Sequence, residues 1–361
     1  KFLDTSGECH GGFLTAQDLA NFVTSLEEPL SVEYGDFTVF KMDTWSQGPT
    51  FLQQLLMLKS FDIAAMDPEG PDFVHTVVET TKLAFADREK FYGDPKFVDV
   101  PIDILLSHEY GKRRASMITA EASGNIRPGS IAGFGGLVIY GLSDGSRVMV
   151  KQDRTSVPVA TVQMPVVPTG DTVHLDIADK DGNMISVTPS GGWLRSSPVI
   201  PDLGFQLSNR GQIFTLEKGD PGGLEPGKRP RTTLSPGFAS RCGKPYMAFG
   251  TPGADRQDQW ALQFFLRHVD HGQNLQQAID APTFNTEHFP SSFFPKHAKL
   301  RSLSLEGRFS KNTAAELERR GHIVEIGEDW SQGRMTAVAC DGEYLKAGSS
   351  ARYMQAYAVG R

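Results

Sequence analysis

Apolar residues recur at helical spacing most clearly over residues 72–91, where Phe73, Val74, Val77, Val78, Thr81, Ala84 and Phe85 form one stripe. Gly93-Asp94-Pro95 closes that segment, since proline cannot continue a helix. A denser apolar run at 50–60, with Phe51, Leu52, Leu55, Leu56 and Leu58, predicts a buried helix. Thr15-Ala16-Gln17-Asp18 has the residue types of a capping box, with Asp in place of Glu, and Leu19, Phe22 and Val23 follow at helical spacing. Between these helices the period changes to two. Val32 and Tyr34 alternate with polar neighbours, Gly35-Asp36 interrupts, and Phe37 and Val39 resume, so residues 31–41 predict two extended pieces.

From about 115 to 170 the texture loosens. Glycine, proline and serine become frequent, with two short β-like runs at 137–140 and 147–151, and Pro158, Pro165 and Pro168 lead up to Thr169-Gly170-Asp171. Thr172 opens a second unit. Val173, Leu175 and Ile177 alternate with His174, Asp176 and Ala178, residues 179–183 make a turn, and Met184–Thr188 alternate again, which predicts a hairpin. Further β-like pieces lie near 203–207, 233–239 and 245–250. Helices are predicted near 256–270, 274–280 and 312–320. Strands and helices interleave without an internal repeat, so layered α+β structure is expected.

Composition excludes more than it selects. The 361 residues carry 36 Lys plus Arg against 43 Asp plus Glu, a net charge of -7, without the basic surplus of a nucleic-acid binder. No apolar stretch approaches the ~20 residues of a membrane span. Cys9, Cys242 and Cys340 stand far apart, with neither zinc spacing nor a disulfide framework. The sequence opens at Lys1 without an initiator Met, which fits a processed or truncated product.

The chemical motifs are ambiguous singly. Gly141-Leu142-Ser143-Asp144-Gly145 matches the GxSxG nucleophile elbow, but that motif needs a helix after it, and Arg147-Val148-Met149-Val150 reads as a strand; a hairpin turn is the better reading. His268 and His271 lie one helical turn apart without a third ligand suitably spaced, so no metal is expected there. Asp87-Arg88 and Glu89-Lys90, late on the strongest helix, read as a solvated or locally paired face. Gly250-Thr251-Pro252-Gly253-Ala254 precedes a helix and offers backbone N–H groups to an anion. Thr172 by itself reads as an ordinary strand-opening threonine.

Taken in order, however, these stretches resemble the γ-glutamyltranspeptidase family of N-terminal-nucleophile hydrolases. Gly11–Leu19 is similar to its GG-x-hydrophobic-T-x-x-DL segment, Ser46-Gln47-Gly48 to its SSGG turn, and Lys82–Arg88 with Gly93-Asp94-Pro95 to its KLAFADR and GDP run. Thr172-Val173-His174 with residues 179–183 resembles the start of its small subunit. Pro226–Pro236, Gly250–Ala254 and Ala281–Phe284 are similar to its P-x-KRP-x-SSMSP, GSPGG and APRF motifs.

The resemblance implies a four-layer αββα sandwich of the N-terminal-nucleophile type. Residues 1–171 correspond to the later part of a large subunit and residues 172–361 to a small subunit, held together as a heterodimer after cleavage. Self-cleavage falls between Asp171 and Thr172. The amine so exposed, with a reference pKa of about 7.7–8.0, serves as base to its own hydroxyl, so no separate histidine is required. Ser190 falls on the threonine that supports the nucleophile, and the N–H groups of Gly253 and Ala254 on the oxyanion hole. Thr232 and Thr233 fall on a serine pair that contacts the substrate α-carboxylate. Three positions depart from the family in chemistry. Gly192 stands where the family has asparagine. Ile213, beside Gln212, stands where it has the acid that grips the substrate amine, and Ala254 replaces a glycine. Arg210, Arg231 and Arg195 add cations nearby. The activity implied is acyl transfer from γ-glutamyl amides to water or an amine. The alternatives are the same machinery on another acyl group, as in an oxamate- or cephalosporin-type acylase, and a non-catalytic relative that only binds a ligand. No cofactor is implied. Family members are commonly periplasmic or secreted, but the sequence fixes no compartment.

Overall fold

The computed structural model describes residues 2–3, 7–12, 14–142, 146–150, 156–159, 172–191, 199–200, 204–342 and 344–360. Among these, strands β1 (Leu30–Tyr34), β2 (Phe37–Lys41), β3 (Leu175–Ala178), β4 (Met184–Val187), β5 (Gly237–Arg241), β6 (Lys244–Gly250), β7 (Thr336–Asp341) and β8 (Tyr344–Ser349) build the centre. Six of them form one antiparallel sheet in the order β8-β7-β6-β5-β2-β1. The sheet therefore takes β1 and β2 from before residue 172 and its other four strands from after it.

Register places the apolar positions in rows. Val32, Val39, Ala239, Met247 and Ala339 stand opposite one another across five strands and are all buried. Helices α1 (Pro49–Leu58), α2 (Pro71–Phe91) and α3 (Gln257–Val269) lie on this side. Phe51, Leu55, Phe264 and Phe265 from α1 and α3 join the row in one core. The opposite face receives the β3–β4 hairpin. Thr336, which alternates to that face, donates its hydroxyl to Asp176 at 2.7 Å, and Ser186 Oγ reaches the Phe249 carbonyl at 3.4 Å. Helices, six-stranded sheet and hairpin are thus three successive layers of the expected stack. Val173, Leu175, Ile177 and Ile185 face away from the sheet and are exposed.

Local chemistry accounts for the element ends. Gly70 is extended before Pro71 opens α2, Asp72 lies in its first turn, and Arg88 and Lys90 lie in its last, matching the helix dipole. The Thr15–Asp18 capping box forms in both directions on the helix Ala16–Asn21. In the hairpin turn the Asp179 carboxylate accepts from the Asp181 and Asn183 N–H groups at 2.9 Å each.

Two expectations need correction or sharpening. Helix α2 is not amphipathic with a solvated charged end, because α1, the helix Lys311–Arg319 and loops cover it, and Asp87, Arg88 and Glu89 are all buried. On either side of the GxSxG centre the chain forms strands: Val138–Gly141 pairs antiparallel with Arg147–Val150, and the Leu142 N–H donates to the Ser146 carbonyl at 2.8 Å. Its Ser143, Asp144 and Gly145 lie outside the described residues. The hydrophobic pattern also missed the helix His108–Ala115 and strands β7 and β8. Among the described residues no helix is long and apolar enough to cross a membrane.

Candidate active site

Thr172 lies three residues before β3 and keeps 9% of its surface exposed. The N–H of Val173 donates to the Pro189 carbonyl at 3.1 Å, fastening the threonine to the return strand. This brings the Ser190 Oγ to 2.8 Å from the Thr172 Oγ1. Arg210 Nη2 donates to the same Ser190 oxygen at 2.6 Å. Either hydroxyl can donate in the Thr172–Ser190 contact, and a Ser190 proton given to Thr172 Oγ1 would stabilise negative charge growing on that oxygen. Arg210 is buried, and its guanidinium lies 5.3 Å from the Phe293 ring centre.

Two residues after Thr172, His174 ties the two arms of the hairpin together and packs against the sheet at Gly250. Its Nδ1 and Nε2 pair with Thr188 Oγ1 at 2.7 Å and the Asp176 carboxylate at 3.0 Å. The imidazole occupies the space a Cβ on Gly250 would need, with Cε1 only 2.3 Å from that position. Gly250 ends β6 and begins the Gly-Pro loop, so only glycine lets the hairpin sit this close.

The loop itself is unusual backbone. Gly253 has φ +141°, and Trp260 lies 2.5 Å from where its Cβ would be. Ala254 has φ +51°, a left-handed conformation that a residue with a Cβ enters rarely. Among the described residues, neither the Gly253 nor the Ala254 N–H donates a hydrogen bond within the chain.

The remaining candidates scatter. Thr232 donates its N–H to the Trp45 carbonyl at 2.8 Å, and its Oγ1 accepts from the Leu234 N–H at 3.2 Å. Thr233 is fully buried, with a hydroxyl that has no partner among the described residues. Ile213 is 4% exposed and closes the short helical turn Arg210–Ile213, so this position carries a buried hydrocarbon. Gln212 beside it faces solvent. Arg231 donates to Glu89 at 2.6 Å, so it belongs to a buried ion cluster. Asp171, Gly192 and Arg195 lie outside the described residues. His268 has both ring nitrogens engaged, with Tyr246 Oη and the Gln273 carbonyl at 2.7 Å each, which argues against a metal there.

Sequence reasoning missed the groups behind the loop. Arg88 donates to Asp255 Oδ1 at 2.5 Å and to Gln47 Oε1 at 3.0 Å. Gln47 Nε2 in turn donates to the Ala254 carbonyl at 3.1 Å. The signal was present in the Lys82–Arg88 and Ser46–Gly48 stretches, but the partners are 41 to 207 positions apart.

The γ-glutamyltranspeptidase family model matches residues 2–360. The chain belongs to the γ-glutamyltranspeptidase family. It is 29% identical over 347 residues to the glutathione hydrolase-like YwrD proenzyme of Bacillus subtilis (strain 168), covering 95% of this chain and 58% of that protein. Its structure resembles that of LmbA2991HD, at 46% identity and TM-score 0.85 over 99% of this chain and 60% of the other. It also resembles the cephalosporin acylase from Bacillus halodurans, at 27% identity and TM-score 0.73, covering 95% and 55% of the two chains. The chain therefore spans little more than half the length of these relatives. Family membership makes the fold the α+β, αββα sandwich of the N-terminal-nucleophile hydrolases.

Proposed function

We propose that this chain is an N-terminal-threonine amide hydrolase or acyltransferase that first cuts itself between Asp171 and Thr172. The Thr172 oxygen attacks the Asp171 carbonyl carbon, the C–N bond breaks, and the nitrogen keeps its own hydrogen and takes the hydroxyl proton to become the new α-amino group. Water then hydrolyses the resulting ester. In turnover the same oxygen attacks a substrate amide while the amine takes its proton and returns it to the leaving nitrogen. Water or an amine releases the acyl group. The N–H groups of Gly253 and Ala254 receive the oxyanion. The observation that carries this reading is the 2.8 Å contact between Thr172 Oγ1 and Ser190 Oγ, on a threonine that retains some exposure. Because one sheet interleaves strands from both sides of residue 172, the two pieces are expected to stay together as a heterodimer.

The first substrate class is a γ-glutamyl amide of the glutathione type. A second reading, a dicarboxylic acyl group without an amine, is favoured by the buried neutral Ile213 and by Arg210 at 2.6 Å from Ser190. A site built for a zwitterionic head needs an anion opposite the ammonium, and Ile213 supplies none. Parallel assays with γ-glutamyl, glutaryl and oxamoyl anilides separate the two. Turnover of γ-glutamyl anilide supports the first; turnover only of the amine-free acyl groups discards it. A chain that stays whole on long incubation and turns over none of these anilides would instead be a ligand-binding relative.

A further inference from the structure

The Gly253–Ala254 loop holds a conformation that its own sequence does not favour. Gly253 at φ +141° costs little for glycine, but Ala254 at φ +51° carries a Cβ in the left-handed region. Such a residue persists where its surroundings over-determine it. Here the surroundings are a chain of buried polar contacts running back to α2. The Ala254 carbonyl accepts from Gln47 Nε2 at 3.1 Å and from the Gln257 N–H. The next residue, Asp255, accepts from Arg88 at 2.5 Å and from the Ser292 N–H and Oγ at 2.9 and 2.5 Å. Arg88 joins the two arms, since the same Nη1 also donates to Gln47 Oε1 at 3.0 Å. Its other edge donates to the Pro290 carbonyl at 3.0 Å and pairs with Glu89 at 2.9 Å. The guanidinium is fully buried, so its orientation is set by these four partners and not by solvent.

We propose that Arg88, acting through Gln47 and Asp255, is the positioning residue that locks Ala254 in its left-handed conformation and keeps the Gly253 and Ala254 N–H groups aimed together before charge develops. This rests on the reading of those two groups as oxyanion donors. A planar guanidinium suits the task because Nη1 reaches both arms while Nη2 and Nε stay tied to Pro290 and Glu89 in the same rigid plane, whereas a lysine ammonium is a single point of attachment. A glycine at position 254 would reach the same φ unaided, so the alanine makes the brace matter more.

The test uses the full-length protein and counts active sites by free Thr172 amino termini. It measures kcat and KM on whichever anilide the wild type turns over. Arg88→Lys is expected to lower kcat roughly 10- to 100-fold, toward the loss seen when an oxyanion donor is removed, with KM held within about twofold. Gln47→Met, which keeps volume but removes the contact to Ala254, is expected to lower kcat about 10-fold, and it decides the matter if Arg88→Lys does not fold. In an Ala254→Gly background both losses shrink severalfold, because glycine holds the loop without help. Losses of equal size in the alanine and glycine backgrounds, or folded variants with unchanged kcat, overturn the proposal. If the wild type cleaves no amide, the acyl-transfer reading fails and thermal melting judges the brace alone. Ala254→Gly should then raise the melting temperature by roughly 1–3 °C in the wild type and by less in Gln47→Met. Equal gains would overturn it.

Discussion

The β3–β4 hairpin carries the proposed nucleophile and the Gly253–Ala254 loop the proposed oxyanion donors, and the two are built differently. Among the described residues, the hairpin holds Thr172 through the Val173 backbone bond and the Ser190 hydroxyl, His174 ties its two arms together, and its outer face is open. The loop is clamped by a largely buried cluster in which Arg88, Glu89, Arg231, Asp255, Ser292 and Lys296 contact one another. The contrast follows from the chemistry proposed for each. A nucleophile that begins as a mid-chain residue must exchange its bonding when the chain is cut. Oxyanion donors stabilise a transition state only if they need no reorganisation at the moment of reaction. One region therefore keeps few ties, and the other is tied from all sides.

The largest effect should come from the lightly tied side. Thr172→Ala removes the only hydroxyl assigned as nucleophile, so self-cleavage and amide turnover should both fall by at least roughly a thousandfold, read by denaturing gel and by anilide assay. On the clamped side, stability should respond. Glu89→Gln leaves Arg88, Arg231 and Lys296 facing one another without their shared carboxylate, and denaturant unfolding should show a loss of about 3–5 kcal/mol. Its pH dependence follows from the same cluster. Burial pushes the Glu89 carboxyl up, but Arg231, Lys296 and Arg88 outweigh that and hold it at about 2. A carboxyl depressed by folding contributes stability above its unfolded pKa of about 4.3 and loses that contribution as pH falls toward about 2. Wild-type unfolding midpoints should drop through this window, and Glu89→Gln should flatten part of the drop.

Smaller effects sharpen the division of labour. Ser190→Ala deletes the hydroxyl between Arg210 and Thr172, and kcat should fall roughly 10- to 100-fold with little change in unfolding midpoint. An equal loss of stability would make Ser190 a packing residue. Arg210→Gln should weaken anionic, amine-free acyl groups about 10-fold more than γ-glutamyl substrates, read as a ratio of kcat/KM values. An unchanged ratio would remove Arg210 from substrate choice and leave it only as Ser190's donor.

Local patterning carried the elements well where punctuation was strong. Pro71 and Gly93-Asp94-Pro95 bracket α2 in the sequence as they do in the structure, and the residues 179–183 turn sets the hairpin. It carried less where burial depends on distant chain. Asp87, Arg88 and Glu89 look like a solvated helix end until Arg114, Asp255 and Arg231 arrive from 27, 167 and 142 positions away. Strand β7 was passed over because Thr336-Ala337-Val338-Ala339-Cys340 has small side chains where strands usually show bulky ones, and its pairing with β6 and β8 makes the strand. The site followed the same rule. No period or spacing distinguishes Thr172 from any other strand-opening threonine. It became legible only through the ordered set of motifs around it, and its contact with Ser190, 18 positions on, needed the hairpin to close.

The most direct measurement is the intact mass and amino-terminal sequence of the purified full-length protein after incubation, followed by an amide assay on the same sample. The account predicts a new amino terminus reading Thr172-Val173-His174, appearing in step with activity. An uncut polypeptide that hydrolyses amides at full rate would contradict it.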